Sequence, residues 1–457
     1  MNTIEIINPA NEAKISSVTA DTAETIAAKY ALLKKGQPGW ASTPLTERLA
    51  CIQRFHDLLD TEKDTIALSL TQEMGKPLQQ AKNEVNGART RIKFFLDQSE
   101  KWLSPEWIVQ EGGTREKITY EPLGIIGNIS AWNYPYLVGV NVIIPALIGG
   151  NAVFYKPSEY TLLTGQHIQR LLYLAGIPEN VFQLAVGAAA VGELLLDLPL
   201  NGYFFTGSYK TGQYIASRVA PKLVPCQLEL GGKDPLYIMD DVADIERVAA
   251  AALEGVVYNT GQSCCAVERI YVQENIYDQF VKAIVAESAK LVVGDPIETT
   301  TEIGPLNRRE QVKFLQAQID DAVQKGATIA SGNNPIPGKG FFLAPTILTG
   351  VDHSMSIMKA ESFGPVVGIQ KVSGDQEAAQ LMLDTEYGLT AAVYSSDFGR
   401  AEKIMSQMDT GTVYWNCCDR VSAGLPWSGR KHSGLGATLS YAGIRAFVQP
   451  KAWHLRG

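Results

Sequence analysis

The chain has 457 residues, more than one hydrophobic core usually accommodates, so two or three domains are expected. Its apolar share of 46% and its charged share of 19% are typical of a globular protein. The net charge of −8 argues against nucleic acid or an anionic membrane as a partner, because both attract clustered lysine and arginine side chains.

The N-terminus and the cysteines restrict the choice of compartment. Residues 1–15 lack a basic region followed by an apolar run, so they do not predict a secretory signal. The longest apolar stretch, 136–150, is shorter than the roughly 20 residues that cross a bilayer and is expected to form a buried helix. The six cysteines form no Cys-x-x-Cys pair and lie near no histidine cluster. They predict free thiols in a reducing cytoplasm and no metal site.

Helical patterns dominate the first hundred residues. Apolar residues recur at helical spacing over 21–35, where Asp21 is placed to cap the helix, and over 43–74. After residue 122, short β-rich segments alternate with helical ones. The predicted strands of this series are 125–130, 152–156, 181–186, 202–206 and 226–230. This alternation predicts a parallel, doubly wound sheet.

A second alternating series follows the first. Its predicted strands are 235–239, 267–272 and 389–395, with helices over 243–258 and 275–291. Two α/β domains in succession are therefore expected. Their joint is predicted at 229–235, where two adjacent glycines interrupt the strand pattern.

Three residues are candidates for the chemistry. Cys264 is a nucleophile only as a thiolate, and none of the five histidines lies in a sequence context that suggests a partner base. Glu229 ends an apolar strand, where burial raises a carboxylate pKa and favours a general base; the alternative is a salt-bridged strand end. Asn133 follows a strand, where its amide can donate to an oxyanion; the alternative is a turn residue.

The cofactor signals are individually weak. The chain has no GxxxxGK[ST] motif, which argues against a nucleoside triphosphatase. Gly207 and Ser208 lie between a predicted strand and a helix, where free N–H groups suit a pyrophosphate. Lys156 and Glu159 follow another strand, and a carboxylate there can bind ribose hydroxyls.

Taken together, these segments resemble the NAD(P)-dependent aldehyde dehydrogenase superfamily, in the short length class of succinate-semialdehyde dehydrogenases. The resemblance covers nearly the whole chain, in the order of the family. It rests mainly on "AWNYP" (131–135), "KPSE" (156–159), "FTGS" (205–208), "LELGGK" (228–233), "NTGQSC" (259–264), "ESFGPV" (361–366) and "PWSGRKHSGLG" (426–436). It implies a Rossmann-like cofactor domain, an α/β catalytic domain and a small β oligomerisation element.

The resemblance implies a role for each catalytic candidate. Cys264 would add to the aldehyde as a thiolate, giving a thiohemiacetal and then a thioester. The Asn133 side chain and the Cys264 N–H would hold the oxyanion, and Glu229 would activate water to release the acid. Where the family often continues Arg-Glu, this chain has Ala437 and Thr438, so an auxiliary carboxylate is expected to be absent.

The resemblance also assigns cofactor positions. They are Lys156 and Glu159 at the adenosine ribose, Gly207 and Ser208 at the pyrophosphate, Glu361 and Phe363 at the nicotinamide riboside, with Trp132 and Leu230 beside them. Because Glu159 would repel a 2′-phosphate, NAD is favoured over NADP.

For the substrate, a small-molecule aldehyde, the resemblance places Asn141 where semialdehyde-oxidising members often carry an arginine. Tyr134, Tyr136, Val138 and Trp427 are predicted to form an apolar or aromatic mouth, so an apolar aliphatic or aromatic aldehyde is the first expectation. The alternative is a semialdehyde or an amino-aldehyde. A CoA-acylating relative and a non-catalytic binding protein are disfavoured, because Glu229 and the Cys264 motif are intact.

The resemblance divides the chain further. The NAD-binding domain would comprise 1–104 and 124–230, and the catalytic domain 231–433. Segments 105–123 and 434–457 would form the oligomerisation element of a homodimer or homotetramer. Within the first of these segments, the alternating residues 117–121 predict an edge strand able to pair with another subunit.

Overall fold

A computed structural model describes residues 3–111, 113–334, 336 and 338–457. Residues 1, 2, 112, 335 and 337, which the predicted domain limits include, lie outside the described residues.

The α-helices are α1 (Ala23–Ser42), α2 (Leu45–Thr61), α3 (Lys63–Met74), α4 (Leu78–Leu103), α5 (Pro135–Ile148), α6 (Leu162–Leu174), α7 (Ala189–Asp197), α8 (Tyr209–Val219), α9 (Ile245–Val257), α10 (Tyr277–Ser288), α11 (Arg309–Gln324), α12 (Asp375–Leu383), α13 (Phe398–Met405) and α14 (Ser440–Arg445).

The strands are β1 (Thr3–Ile7), β2 (Lys14–Thr19), β3 (Glu106–Val109), β4 (Thr114–Pro122), β5 (Ile125–Ile129), β6 (Ala152–Lys156), β7 (Phe182–Leu184), β8 (Gly202–Thr206), β9 (Cys226–Glu229), β10 (Asp234–Ile238), β11 (Val267–Gln273), β12 (Thr328–Ser331), β13 (Thr346–Thr349), β14 (Val366–Val372), β15 (Tyr387–Gly388), β16 (Thr390–Tyr394), β17 (Thr412–Trp415), β18 (Arg430–Lys431), β19 (Gly434–Leu435) and β20 (Val448–Arg456).

The first alternating series forms a six-stranded sheet in the order β19-β9-β8-β5-β6-β7. Strands β5 to β9 are parallel, and only β19 runs antiparallel. Each predicted strand of this series is present, within two residues at its ends. β6 is buried along its whole length, as expected for a parallel strand covered on both faces.

The second series forms a seven-stranded sheet in the order β12-β13-β14-β11-β10-β16-β17. Its strands are parallel except for β12, which pairs antiparallel with β13. The chain passes from one large sheet to the other between β9 and β10, inside the predicted joint. The predicted α/β fold is therefore confirmed, whereas the exact domain limits stay a prediction.

A three-stranded antiparallel sheet in the order β20-β4-β3 joins two distant parts of the chain. The prediction that residues 117–121 form an edge strand is wrong. They lie in β4, the central strand, because β20 pairs with one side of it and β3 with the other.

The wholly helical interpretation of the first hundred residues is also wrong at the N-terminus. β1 and β2 form an antiparallel hairpin. The backbone N–H groups of Asn11 and Glu12 donate to Asn8 O in its turn. The alternation of "TIEII" over 3–7 is the period-two signal for this strand.

The apolar stretch 136–150 forms most of α5, which is buried along nearly its whole length, as expected. Pro135 occupies the first turn of this helix, where the missing N–H costs no hydrogen bond. Among the described residues, no helix is both long enough and apolar enough to span a bilayer.

Candidate active site

A cleft opens where the carboxyl ends of β5, β6, β8 and β9 meet at one edge of the six-stranded sheet. Successive strands are added on one side of β5 (β6, β7) and then on the other (β8, β9). Ligands in open α/β sheets bind at such a switch point. The cleft has a volume of about 580 Å³, within the range of small-molecule sites.

All of the predicted catalytic and cofactor residues line this one cleft. They are Trp132, Asn133, Lys156, Glu159, Gly207, Ser208, Glu229, Leu230, Cys264, Glu361 and Phe363. The seven-stranded half of the chain contributes Cys264 and the segment from Glu361 to Phe363, and the six-stranded half contributes the rest.

A tight turn presents Cys264 to the cleft. Asn259, Thr260 and Gly261 are consecutive residues with positive φ values of 55°, 58° and 70°. A Cβ atom on Gly261 would lie 2.3 Å from the backbone of Gly364, so only glycine fits there. The threonine conformation is strained, and such strain persists only where the surrounding structure imposes it.

The Asn133 side chain is fixed against this turn. Its Nδ2 atom donates to Gln262 O at 3.1 Å, and only 4% of the residue is exposed. The Gln262 side chain is anchored in turn, because its Nε2 donates to Asn259 O and its Oε1 accepts from Asn307 N. The amide of Asn133 and the thiol of Cys264 therefore belong to one rigid unit.

A buried ion pair that the sequence analysis missed supports Asn133 from behind. Lys76 and Glu84 contact each other directly, and both of their side chains are fully buried. Lys76 Nζ donates to Asn133 O at 2.8 Å, and Glu84 Oε1 accepts from Tyr136 N at 2.8 Å. The pair therefore holds the turn that leads from β5 into α5. In the sequence, Lys76 lies in "EMGKP" (73–77). This segment matches the family, but it contains no motif that indicates a role for the lysine.

Glu229 is 8% exposed, and burial raises its pKa well above the usual value of a carboxyl group. Its Oε1 atom accepts a long hydrogen bond of 3.5 Å from Thr438 Oγ1, and its Oε2 atom is buried without a hydrogen-bond partner among the described residues. A protonated or water-bonded carboxyl group satisfies such an atom. Within the described part of the chain no salt bridge holds this carboxylate, which disfavours the alternative of a salt-bridged strand end.

Thr438 reaches Glu229 because the C-terminal segment pairs with β9. Gly434 and Leu435 of β19 lie opposite Glu229 and Leu228. The backbone of Thr438 exchanges two hydrogen bonds of 2.8 Å with that of Trp427. The sequence predicted that an auxiliary carboxylate is absent at this position. Thr438 instead donates a hydrogen bond from its hydroxyl group to Glu229, the predicted base.

Two glycines bring Glu361 and Cys264 toward Glu229. A Cβ atom on Gly231 would lie 2.1 Å from Glu361 Oε1, and one on Gly232 would lie 2.5 Å from Cys264 O. The Gly232 N–H donates to Glu361 Oε1 at 3.2 Å. Burial, with the charge of Glu268, raises the pKa of Glu361 to about 8.

Glu268 and Lys233 form a second buried pair that the sequence analysis missed. Glu268 accepts from the backbone N–H groups of Ser362 (2.8 Å) and Phe363 (2.9 Å), and Lys233 Nζ donates to it at 2.7 Å. These bonds hold Phe363 at a φ of 55°, a strained value for an aromatic residue. Its ring lies edge-on to Trp132, with 5.6 Å between centroids. The sequence signal was a charged residue, Glu268, inside the apolar strand "VERIYV" (267–272).

The residues around the β6 and β8 ends fit a dinucleotide. Lys156 is 4% exposed, and its Nζ atom lies 3.9 Å from Glu159 Oε2 inside the cleft. Burial lowers the pKa of Lys156, and the charge of Glu159 opposes this. Ser208 occupies the N-cap position of α8 without a capping hydrogen bond from its side chain, so the N–H groups of the first turn can meet a pyrophosphate. A Cβ atom on Gly207 would lie 2.4 Å from the Phe205 ring, so the close turn requires glycine.

Of the five predicted substrate-pocket residues, Tyr134 and Val138 line the cleft. Tyr136 is fully buried in the core, and Trp427 is 8% exposed and holds Thr438 through its backbone. Asn141 is 7% exposed and accepts a hydrogen bond of 3.0 Å from Arg91, a residue that the sequence analysis missed. Substrate contact by Tyr136, Asn141 and Trp427 stays a prediction.

Comparison with known proteins agrees with this arrangement. The chain matches the model of the aldehyde dehydrogenase family over residues 1–453. It is 35% identical over 413 residues to a succinate-semialdehyde dehydrogenase [NADP(+)] of Deinococcus radiodurans, covering 90% of this chain and 86% of that protein. It is 33% identical over 452 residues to an aldehyde dehydrogenase of Paenarthrobacter nicotinovorans, covering 98% of each.

Among solved structures, betaine aldehyde dehydrogenase from Staphylococcus aureus in complex with NAD+ is similar with a TM-score of 0.95 and 32% identity. The alignment covers 100% of this chain and 92% of that one. The motifs, the fold and these matches agree along the whole length. The chain belongs to the aldehyde dehydrogenase family.

Proposed function

We propose that this chain oxidises an aldehyde to its carboxylic acid, with NAD as the preferred electron acceptor and Cys264 as the nucleophile. The proposal is carried by one observation. Cys264, Asn133 and Glu229, from three separate parts of the sequence, border the same cleft at the switch point of the sheet.

The first step is an addition to the carbonyl group. The Cys264 thiolate forms a C–S bond with the aldehyde carbon, and the oxygen becomes an alkoxide. Asn133 Nδ2 and the Cys264 N–H donate to that oxygen, which stabilises the thiohemiacetal. NAD, when bound, would accept the hydride that leaves this carbon. Cys264 would then carry a thioester.

The second step is hydrolysis. Glu229, as a carboxylate, takes a proton from water while the water oxygen attacks the thioester carbon. The C–S bond breaks, the acid is released and Cys264 is regenerated. The presence of this base in the cleft supports water, rather than CoA, as the acyl acceptor.

For the cofactor, Lys156 and Glu159 would hold the adenosine ribose, and the start of α8 with Gly207 and Ser208 the pyrophosphate. Trp132, Leu230, Glu361 and Phe363 would surround the nicotinamide riboside. Glu159 supports NAD over NADP, because a carboxylate beside the 2′-hydroxyl repels a 2′-phosphate. The Deinococcus radiodurans relative is named for NADP+. A preference for NAD would therefore distinguish this chain from that protein.

We further propose a homodimer or homotetramer in the cytoplasm. β3 and β20 are the two edges of the three-stranded sheet, and a second subunit can extend either of them. All six cysteines are free thiols, which supports a reducing compartment.

The substrate classes expected from the sequence make opposite demands on the charge near Cys264. An apolar aldehyde requires none, an amino-aldehyde requires a negative charge and a semialdehyde requires a positive one. The relatives differ in the same way, because a succinate-semialdehyde substrate is anionic and a betaine aldehyde substrate is cationic.

The test of the reaction is the formation of NADH from NAD with a panel of aldehydes, followed by absorbance. The native protein should reduce NAD and release the acid without CoA. Strict dependence on CoA, or NADH formation that persists in Cys264→Ala, would contradict the proposal.

A further inference from the structure

Arg91 is a cation of α4 that pairs with no carboxylate among the described residues. Two other cations of this part of the chain are paired with carboxylates, because Lys76 contacts Glu84 and Arg89 contacts Asp60. Arg91 instead uses one nitrogen, Nη1, to donate to Asn141 Oδ1 (3.0 Å) and to Leu137 O (3.3 Å) on α5. These bonds fix the guanidinium group against α5 without neutralising it.

One edge of this guanidinium group remains available. Neither Nε nor Nη2 donates to a described residue, and neither is a buried atom left without a partner. The side chain is partly exposed, so these N–H groups face open space. The Nε–Nη2 edge presents two parallel N–H groups, the geometry that matches the two oxygens of a carboxylate.

Arg91 does not line the cleft itself, but it is bonded to the helix that does. Tyr134 and Val138, at the start of α5, line the cleft beside Cys264, and Arg91 is bonded to the next turn of the same helix. Burial lowers the pKa of Arg91 to about 10, while the ionised forms of Cys265 and Cys264 would raise it. The guanidinium group is therefore charged at neutral pH.

Several other charged groups around α4 and α5 have partners. Asp419 accepts from Cys265 Sγ at 2.9 Å, and burial raises its pKa to about 6. Arg420 follows it in the chain, and Lys76 and Glu84 neutralise each other. Arg91 is thus a cation without a paired carboxylate among the described residues of α4 and α5, which favours an anion over a cation.

We propose that Arg91 binds a carboxylate at the far end of the aldehyde, so that the preferred substrate is a semialdehyde of a dicarboxylic acid. The inference rests on the proposed aldehyde oxidation. The sequence argument for an apolar aldehyde depended on the uncharged Asn141. The structure brings a cation to that residue from the neighbouring helix.

The experiment compares 4-oxobutanoate, the neutral pentanal and the cationic 3-aminopropanal by kcat/KM with saturating NAD. In the native protein, kcat/KM for 4-oxobutanoate should exceed that for each of the others by at least about tenfold. In Arg91→Met, the ratio of kcat/KM for 4-oxobutanoate to that for pentanal should fall about 100-fold, mainly through KM. Arg91→Lys keeps the charge but loses the paired donors, so its ratio should be intermediate.

Arg89→Met is the matched control, because it removes the same charge from the same helix on the side of Asp60. Its ratio should equal the native ratio. A measurement on the native protein alone avoids any folding defect of the variants. Butanedioate should inhibit pentanal oxidation more strongly than pentanoate does.

Three results would overturn the inference: a native preference for pentanal or 3-aminopropanal, an unchanged ratio in folded Arg91→Met, or equal inhibition by the two acids. If the native protein reduces NAD with pentanal but shows no preference for 4-oxobutanoate, only this inference fails. If no aldehyde supports NAD reduction, the proposed function fails with it.

Discussion

The cofactor side of the cleft and the helix pair α4–α5 approach Cys264 from different parts of the chain and are built in different ways. On the cofactor side, short motifs directly follow strands, and glycines fix the distances between backbones. On the α4–α5 side, a single side chain, Arg91, reaches the region of the thiol and is held by two hydrogen bonds.

This difference separates chemistry from substrate choice. Changes on the cofactor side, or in the thiol and base, should alter every reaction of the site. A change at Arg91 should alter which aldehyde is preferred. The following predictions test the effects expected from the thiol, the base and the cofactor side of the cleft.

The largest effect is expected from the nucleophile. Cys264→Ala should lower kcat/KM for any aldehyde by at least about 10⁴-fold, because no other group in the cleft replaces the thiolate. Cys265→Ala is the control, since Cys265 is 4% exposed and its Sγ atom contacts Asp419 and Ser263. It should keep most of the activity. The reverse outcome in NADH assays would show that the wrong cysteine has been assigned.

The next largest effect concerns the base. Glu229→Gln should lower steady-state turnover by about 10²- to 10⁴-fold, the usual range for a general base. It should leave a burst of NADH equal to the enzyme concentration, because the acyl group forms but is not hydrolysed. Rapid-mixing absorbance measures both quantities. Loss of the burst together with the turnover would place Glu229 before acylation.

The same residue gives a pH dependence with a definite sign. Glu229 acts only as a carboxylate, and burial raises its pKa, so turnover limited by hydrolysis should rise with pH until that pKa is passed. The residual turnover of Glu229→Gln should lack this rising limb. A native profile that is flat from mildly acidic to mildly alkaline pH would contradict the role.

A smaller effect is expected from the cofactor carboxylate. Glu159→Gln removes the charge that opposes a 2′-phosphate, so the ratio of kcat/KM for NAD to that for NADP should fall about tenfold. The control is Glu193→Gln, a partly exposed carboxylate of the same cleft that pairs with Arg218. An equal fall in both variants would mean that only the net charge of the cleft matters.

The smallest effect is expected at Thr438. Its hydroxyl group lowers the pKa of Glu229, so Thr438→Val should move the rising limb of the pH profile to higher pH and reduce turnover about threefold to tenfold. Thr438→Ser, which keeps the hydroxyl group, should restore the native profile. A uniform loss at every pH in both variants would indicate a packing defect.

Most of the residues that line the cleft lie in segments named from the sequence, and the reason is physical. A Cβ atom on Gly207 or Gly231 would collide with a side chain, and one on Gly232 or Gly261 would collide with backbone, so these glycines leave short, ordered motifs. The strand-to-helix alternation in turn predicts which edge of the sheet carries those motifs. The sequence therefore predicted which residues share this cleft, and their catalytic and cofactor roles stay predictions.

The supporting residues were missed for the opposite reason. Lys76 pairs with Glu84, and Lys233 pairs with Glu268. The partners are separated in the sequence, and the backbone groups that they hold lie in distant segments. Arg91 is one of many charged residues on a long helix, and only the position of α5 beside it shows that it faces Asn141. Thr438 acquires a role only through the pairing of β19 with β9.

The most direct test of the central claim is to locate the acyl group. Glu229→Gln, incubated with NAD and the preferred aldehyde, should accumulate the thioester, and peptide mass spectrometry should find the acyl mass on Cys264. The double variant that also carries Cys264→Ala should show none. An acyl group on Cys265, or no acyl group on either cysteine despite NADH formation, would contradict the account.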